Sequence, residues 1–170
     1  MRISDSLISY AFGGWLESTL FRAVTSRRMP LFSQDAKVEA LRHAPLFEGL
    51  ATSELAQIAK GTEDVEAARG KVLCRQGDSA GEFFVILDGE VEVTRDGGRL
   101  TTLRTGDFFG EIALIEPSKR TATVTATTPV RFFVLTRPVF SALLDHNPGV
   151  ERKVLRALAK RVLRSGDSIA

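Results

Sequence analysis

Gly106-Asp107-Phe108-Phe109-Gly110-Glu111-Ile112-Ala113-Leu114-Ile115-Glu116-Pro117-Ser118-Lys119-Arg120-Thr121-Ala122-Thr123-Val124 lies between two strand-like segments, yet its middle is not strand-like. Glu111 to Ile115 has the composition of a single helical turn. Gly110, just before that turn, lets a backbone approach a ligand closely. The N–H groups that open a short helix point outward and can cradle a phosphate. Arg120 follows at the start of the next strand, and a guanidinium meets phosphate oxygens with two parallel charge-assisted hydrogen bonds. Glu111 discriminates between ligands. A carboxylate in a plain anion site repels the anion, but an ionised carboxylate accepts hydrogen bonds from a ligand that also offers a hydroxyl. The residues therefore ask for a sugar phosphate rather than inorganic phosphate. Apolar side chains such as Val93 and Leu100 are the candidates to cover a flat base.

Outward from this segment, residues 62 to 135 share one texture. Val72-Leu73-Cys74, Phe83 to Leu87, Val91 and Val93, Leu100 to Leu103, Thr121 to Ala126 and Val130 to Leu135 are short and rich in β-branched or aromatic residues. Gly70, Gly77-Asp78, Asp88-Gly89, Asp96-Gly97-Gly98 and Gly106-Asp107 punctuate them. Short strands with closely spaced turn signals predict a sandwich, jelly roll or barrel. Asp96-Gly97 suits a hairpin whose two central residues both take positive φ.

Helical patterns flank this region. Residues 37–60 carry Val38, Leu41, Leu46, Phe47, Leu50, Leu55 and Ile58, split by Pro45 and Gly49, with Thr52 and Glu54 marking the second start. Pro138 predicts the first turn of a helix running to about Asp145, and Asn147-Pro148 opens another. That last helix puts Val150, Val154, Leu155, Leu158, Val162 and Leu163 on one side. Arg152, Lys153, Arg156, Lys160, Arg161 and Arg164 lie mostly on the other. At the opposite end, residues 3–26 have helical spacing, with Ser4 or Asp5 as cap and Phe12 and Trp15 among the apolar positions. Arg27 to Asp35, interrupted by Pro30, reads as a linker.

The whole chain bounds these expectations. Its 170 residues accommodate one domain with a helical arm. Hydrophobic residues at 44% and charged residues at 26% are a soluble globular mix, and a formal net charge of +2 does not by itself indicate a nucleic-acid binder. Cys74 stands alone, so no internal disulfide forms, which fits a reducing compartment. No segment has the length and apolarity of a membrane span, and the N-terminus lacks a signal-peptide pattern. The expected location is the cytoplasm. His43 and His146 have no partners at metal-ligand spacing, and no nucleophile–base pair or Walker-type loop is evident.

Phe109-Gly110-Glu111-Ile112-Ala113-Leu114, then Pro117, then Arg120-Thr121-Ala122-Thr123-Val124 resemble the phosphate-binding cassette of cyclic nucleotide-binding domains. Leu46-Phe47-Glu48-Gly49-Leu50 resembles that family's opening helical segment. Gly77-Asp78, Phe83 to Val91 and Gly106-Asp107 are similar to its glycine-marked turns. The likeness runs from about Val38 to Arg164. It implies a mainly β fold with flanking α, a jelly-roll β-barrel with N-terminal helices and a C-terminal lid helix, Pro148 to Arg164. The implied division is an N-terminal helical arm and linker over 1–36, the cyclic nucleotide-binding domain over 37–164, and a tail over 165–170. Gly110, Ile112, Ala113, Arg120 and Thr121 would surround the cyclic phosphate, and Glu111 would take the ribose 2′-hydroxyl. The ligand is cAMP or cGMP, since family members with Thr at the position of Thr121 bind either. No cofactor is expected.

Plainer readings stand beside these. Gly110 alone could be a turn, Glu111 could complement a helix start, and Arg120 could be a surface charge. The basic last helix reads as a solvated face rather than a nucleic-acid surface, because it lacks interleaved aromatics. Family transcription factors carry a helix-turn-helix after this helix, whereas this sequence ends at Ala170, so no DNA-binding domain is expected. The functional expectation is a non-enzymatic receptor acting on an unidentified effector protein, with the helices open to a homodimer contact. The alternative is a structural or protein-interaction module of the same fold without nucleotide.

Overall fold

Alternate residues of two neighbouring strands, Glu82–Asp88 and Val130–Thr136, face opposite layers, and this sets the architecture. Phe83, Val85, Phe133 and Leu135 are buried among helices, whereas Phe84, Ile86, Phe132 and Val134 are buried against a second sheet. Strands covered on both faces read as continuous apolar runs, as these two do.

The structure, a computed structural model, describes residues 33–115 and 118–166. The helix expected over 3–26, with its Ser4 or Asp5 cap, and Pro117 lie outside the described residues. The elements are α1 (Gln34–His43), a 3-10 turn (Pro45–Phe47), α2 (Thr52–Lys60), β1 (Thr62–Ala67), β2 (Val72–Cys74), β3 (Glu82–Asp88), β4 (Glu90–Arg95), β5 (Gly98–Arg104) and β6 (Phe108–Phe109). There follow a short helix α3 (Ile112–Ile115), β7 (Thr123–Ala126), β8 (Val130–Thr136), α4 (Arg137–His146) and α5 (Pro148–Gly166). Two four-stranded antiparallel sheets run β1-β8-β3-β6 and β2-β7-β4-β5. This is a jelly roll flanked by helices. It corrects the expected barrel in one respect: no ladder joins the two sheets among the described residues, so the strands form a sandwich.

Local chemistry explains most boundaries. The hairpin between β4 and β5 turns at Asp96 and Gly97, with φ of 51° and 78°. α1 begins at Gln34, inside the stretch expected as linker, because the Ser33 hydroxyl accepts the Ala36 N–H at 3.3 Å. α2 opens where the Glu54 carboxylate accepts the Ala51 N–H at 2.7 Å. α4 takes Pro138 in its first turn, and α5 starts at Pro148 after Asn147.

α5 is oriented differently from its apolar pattern. Val150 and Val154 are buried, and Ala157 and Leu158 pack on the same cluster. Leu155 and Leu163 instead face solvent, at 52% and 70% exposure. Lys153, one of the residues assigned to a solvated face, donates to the carbonyls of Pro45 and Glu48 at 2.8 and 2.9 Å. The docked stripe follows 150, 154, 157–158 and 161, and Leu155 and Leu163 fall off it.

The outer edge of the helix-covered sheet holds an unusual acid. Asp64 lies on β1 between Val65 and Glu63, its side chain only 1% exposed, with Arg131 Nε 3.9 Å away. Neither carboxylate oxygen has a hydrogen-bond partner among the described residues. Burial raises its pKa, only partly offset by Arg131 and then Lys37. A carboxyl raised in this way stabilises the fold fully below its ordinary value of 3.8, and that contribution is lost as pH rises through the folded value. Asp64→Asn should therefore melt above the wild type at neutral pH, with the gap closing as the pH falls below that ordinary value. Thermal unfolding across that range checks this, and a gap that does not change with pH would refute titration as its source.

Candidate functional site

The segment after β6 bends because Gly110 has φ 92°. More than a turn is at stake there. A Cβ on Gly110 would sit 2.7 Å from the Glu82 carbonyl oxygen and 2.8 Å from Arg120 Nη1. Glycine lets the backbone pass directly over the Arg120 side chain. The carbonyl of Glu111 then accepts the N–H groups of Leu114 and Ile115 at 3.0 and 2.9 Å, which closes α3. Ala113 and Leu114 are buried beneath it, and Ile112 is half-buried.

Arg120 is held on every side. Its side chain is 4% exposed, and Nη2 donates to the Glu82 carboxylate at 2.8 Å. Nη1 reaches the Gly110 carbonyl at a long 3.4 Å, and the guanidinium lies 5.5 Å from the centre of the Phe84 ring. The Gly77-Asp78 turn fixes its backbone: Arg120 N–H donates to Asp78 O, and Gly77 N–H donates to Arg120 O, both at 2.8 Å. A buried guanidinium needs this pairing, since an isolated one costs several kcal/mol.

Glu111 is fully buried, and one of its oxygens accepts Arg161 Nη1 from α5. Arg161 also donates through Nη2 to the Phe108 carbonyl and lies 5.2 Å from the Phe108 ring centre. The other oxygen of Glu111, Oε2, is buried without a hydrogen-bond partner among the described residues. Arg161 thus corrects the reading of the basic residues on α5 as a solvated face. Its signal was present in the sequence, for 161 falls eleven residues, about three turns, after Val150 on the inward stripe.

The remaining candidates are nearby with less definition. Thr121 is half-buried next to Arg120, and its carbonyl accepts Arg95 Nε at 3.0 Å. Val93 packs against the sandwich core, while Leu100 is 46% exposed on β5. Leu100 has no partner in the β4–β5 register, where Val93 pairs with Thr101 and Thr94 with Arg99. It is the extra residue of a bulge, a place where a side chain is re-aimed. Glu82 had no local signal, because its partner is 38 residues away.

Other chemistry is weakly represented. Burial pushes the Cys74 thiol up to about 11, which keeps it protonated and poorly nucleophilic. Among the described residues no group of three or more His, Cys, Asp or Glu side chains is placed to hold a metal ion. No helix of the described residues is long and apolar enough to cross a membrane.

Comparison with known proteins agrees with this geometry. The family model of the cyclic nucleotide-binding domain matches residues 64–147. The cAMP-dependent protein kinase regulatory subunit of Schizosaccharomyces pombe is 34% identical over 144 residues, covering 84% of this chain and 34% of the relative. The CRP-like cAMP-activated global transcriptional regulator of Mycobacterium tuberculosis is 29% identical over 137 residues, covering 78% of this chain and 61% of the relative. The catabolite activator protein of Thermus thermophilus superimposes with a TM-score of 0.64 at 28% identity, over 74% of this chain and 61% of that one. The chain thus spans only part of the length of its relatives and carries a domain that belongs to the cyclic nucleotide-binding domain family.

The close approach at Gly110 is measurable apart from its backbone angle. Gly70 also has positive φ, 83°, but open space where a Cβ would go. Gly110→Ala should destabilise by about 1–3 kcal/mol in urea unfolding, and by more than Gly70→Ala. Equal losses would mean that the contact with Arg120 and Glu82 contributes nothing.

Proposed function

We propose that this member of the cyclic nucleotide-binding domain family is a non-enzymatic receptor for a 3′,5′-cyclic nucleotide, cAMP or cGMP, and passes its occupancy to an effector protein through its helices. One observation carries the reading. A buried carboxylate oxygen with no donor among the described residues, Glu111 Oε2, and a buried guanidinium whose Nη1 bond is long, Arg120, sit at the two ends of one glycine-opened turn. A ligand that brings an anion and a hydroxyl side by side answers both.

In this reading the cyclic phosphate meets Arg120 and the backbone around Gly110, Ile112 and Ala113, with Thr121 beside it. The ribose 2′-hydroxyl donates to Glu111 Oε2 while the other oxygen stays on Arg161. Val93 and Leu100 flank the base. α5 already reaches the sugar end of the pocket through Arg161, so ligand binding and the seating of α5 share one carboxylate. The names of the relatives support cAMP as a candidate, one being cAMP-activated and the other cAMP-dependent. The proposed setting is the cytoplasm, where a lone buried thiol stays reduced.

A second reading has its own observation: Arg120 and Glu111 each have an internal partner, Glu82 and Arg161. A module whose pocket is closed by its own side chains would work as an interaction scaffold without nucleotide.

Thermal unfolding of nucleotide-free protein with cAMP, cGMP or 5′-AMP separates the two. A cyclic ligand at about 100 times its Kd should stabilise the fold by roughly 2.7 kcal/mol, and 5′-AMP should not. Arg120→Ala should weaken binding by about 2–5 kcal/mol. Glu111→Gln should cost less and reduce the preference for ribose over 2′-deoxyribose ligands. No shift with either cyclic nucleotide would leave the scaffold reading standing, and an unchanged affinity in Arg120→Ala would remove that residue from the site.

A further inference from the structure

α3 is only one turn long, and a helix that short does not hold itself together. Gly110, two residues before it, meets Arg120 through its carbonyl. The last carbonyls of a helix have no intrahelical donor and take one from elsewhere. In α3 they find Arg137. Nη2 of Arg137 donates to Ala113 O at 3.0 Å, and Nη1 donates to Leu114 O at 3.2 Å. The same Nη2 donates to Ala80 O at 3.0 Å, and the Arg137 backbone N–H donates to Gly81 O at 2.8 Å.

Arg137 is also the first residue of α4, the element that leads into α5. Two consequences follow from this placement. Residues 80–82 are gripped from both directions, by Arg137 at Ala80 and Gly81 and by Arg120 at the Glu82 carboxylate. α3 and the residue that opens it are likewise held at both ends by the arm that follows the sheet, by Arg161 of α5 at Glu111 and by Arg137 of α4 at Ala113 and Leu114. A shift of α3 toward a ligand must move Arg137 or break its bonds. A planar guanidinium suits such a junction because its donors are fixed in one fork, which an ammonium lacks.

We propose that Arg137 is a positioning residue that couples occupancy of the turn at Gly110 and Glu111 to the seating of α4 and α5. It does not touch the ligand. The inference rests on the receptor reading above, and it adds where the signal leaves the pocket. Removing Arg137 should leave the phosphate and ribose contacts in place while cutting the link from α3 to α4, with Arg161 on Glu111 as the remaining tie to the arm.

Hydrogen exchange of residues 148–166 in the full chain, with and without saturating cAMP or cGMP, tests it. In the wild type, ligand should slow exchange in this segment. In Arg137→Ala the ligand-induced slowing should fall by about tenfold or more, measured at a concentration that saturates the variant. Arg137→Lys should recover part of the slowing, and it takes the place of Arg137→Ala if the alanine variant does not fold. Val65→Ala, a sandwich-core change of general stability, should lower the melting temperature yet keep the slowing. Slowing equal to the wild type in Arg137→Ala, or an equal loss in Val65→Ala, would overturn the coupling role while leaving the receptor intact. A wild type that binds neither cyclic nucleotide would overturn both.

Discussion

A guanidinium sealed from water constrains this structure more than any other group. Moving an ion out of water costs several kcal/mol unless its charge and its donors are answered nearby. The side chain of Arg120 is 4% exposed, so partners had to be assembled around it. Glu82 and the Phe84 ring come from β3 and the carbonyl of Gly110 from just after β6, while Asp78, in a glycine-marked turn, accepts the backbone N–H of Arg120. Asp78, Glu82 and Phe84 lie within one stretch of β3 and the turn before it, and Gly110 comes from far along the chain. Satisfying this one residue, side chain and backbone together, therefore fixes the mutual placement of a turn, two strands and the entrance to a third.

The same strand links that site to the helices. β3 carries Glu82 toward Arg120 and then alternates Phe83 and Val85 into the helical cluster with Phe84 and Ile86 into the sandwich. Phe83 stacks on Phe140 of α4 at 4.5 Å and tilts against Phe108 at 5.5 Å. Phe108 in turn lies beneath Arg161 of α5. The helices thus rest on rings that also line the approach to the turn at Gly110. Because close-packed interiors transmit displacement rather than absorb it, the pocket and the last helices cannot be treated as separate bodies. Packing continuity supplies a path, and only a coupling energy makes it a signal.

Most strands were legible because their residues fit a half- or fully buried pleated surface, and because glycines mark the turns. Asp96-Gly97 needed positive φ at both positions and adopts it. β1 was not resolved as a strand from Thr62-Glu63-Asp64-Val65-Glu66-Ala67, since three acids dilute a pattern whose only buried apolar residues are Val65 and Ala67. β6 is two residues long, too short for any period to appear. Gly110, Glu111 and Arg120 stood out as residue types and lie together in the fold, though their roles toward a ligand remain a proposal. Their partners were illegible for a different reason. Glu82 and Arg137 lie on elements distant in sequence, and nothing local distinguishes them from ordinary surface charges, whereas Arg161 is marked only by its place on the inward stripe of α5. On α5 the apolar residues themselves misled, for Leu155 and Leu163 are exposed while Arg161 turns inward.

Charge arithmetic bears on how such a pocket would bind. Arg120 and Arg161 carry two positive charges, Glu82 and Glu111 two negative ones, and each cation has an acid as partner. A site balanced in this way exerts little long-range attraction on an anion. Affinity for a cyclic phosphate would have to come from short, directed hydrogen bonds in a preorganised frame. Glu82 cuts both ways. It keeps a buried guanidinium paired when no ligand is there, and it reduces what Arg120 gains from a phosphate. Arg161 stands in the same relation to Glu111. Yet the internal pairing is lopsided at both ends. Arg120 Nη1 meets Gly110 O at 3.4 Å, beyond the usual 2.7–3.2 Å range, and Glu111 Oε2 meets no donor among the described residues. A pocket shaped only to close on itself would leave neither residual, since a buried acceptor without a donor costs about 1–3 kcal/mol. The two residuals are complementary to a single ligand that offers an acceptor at one end and a hydroxyl donor at the other, and that asymmetry favours the receptor over the scaffold.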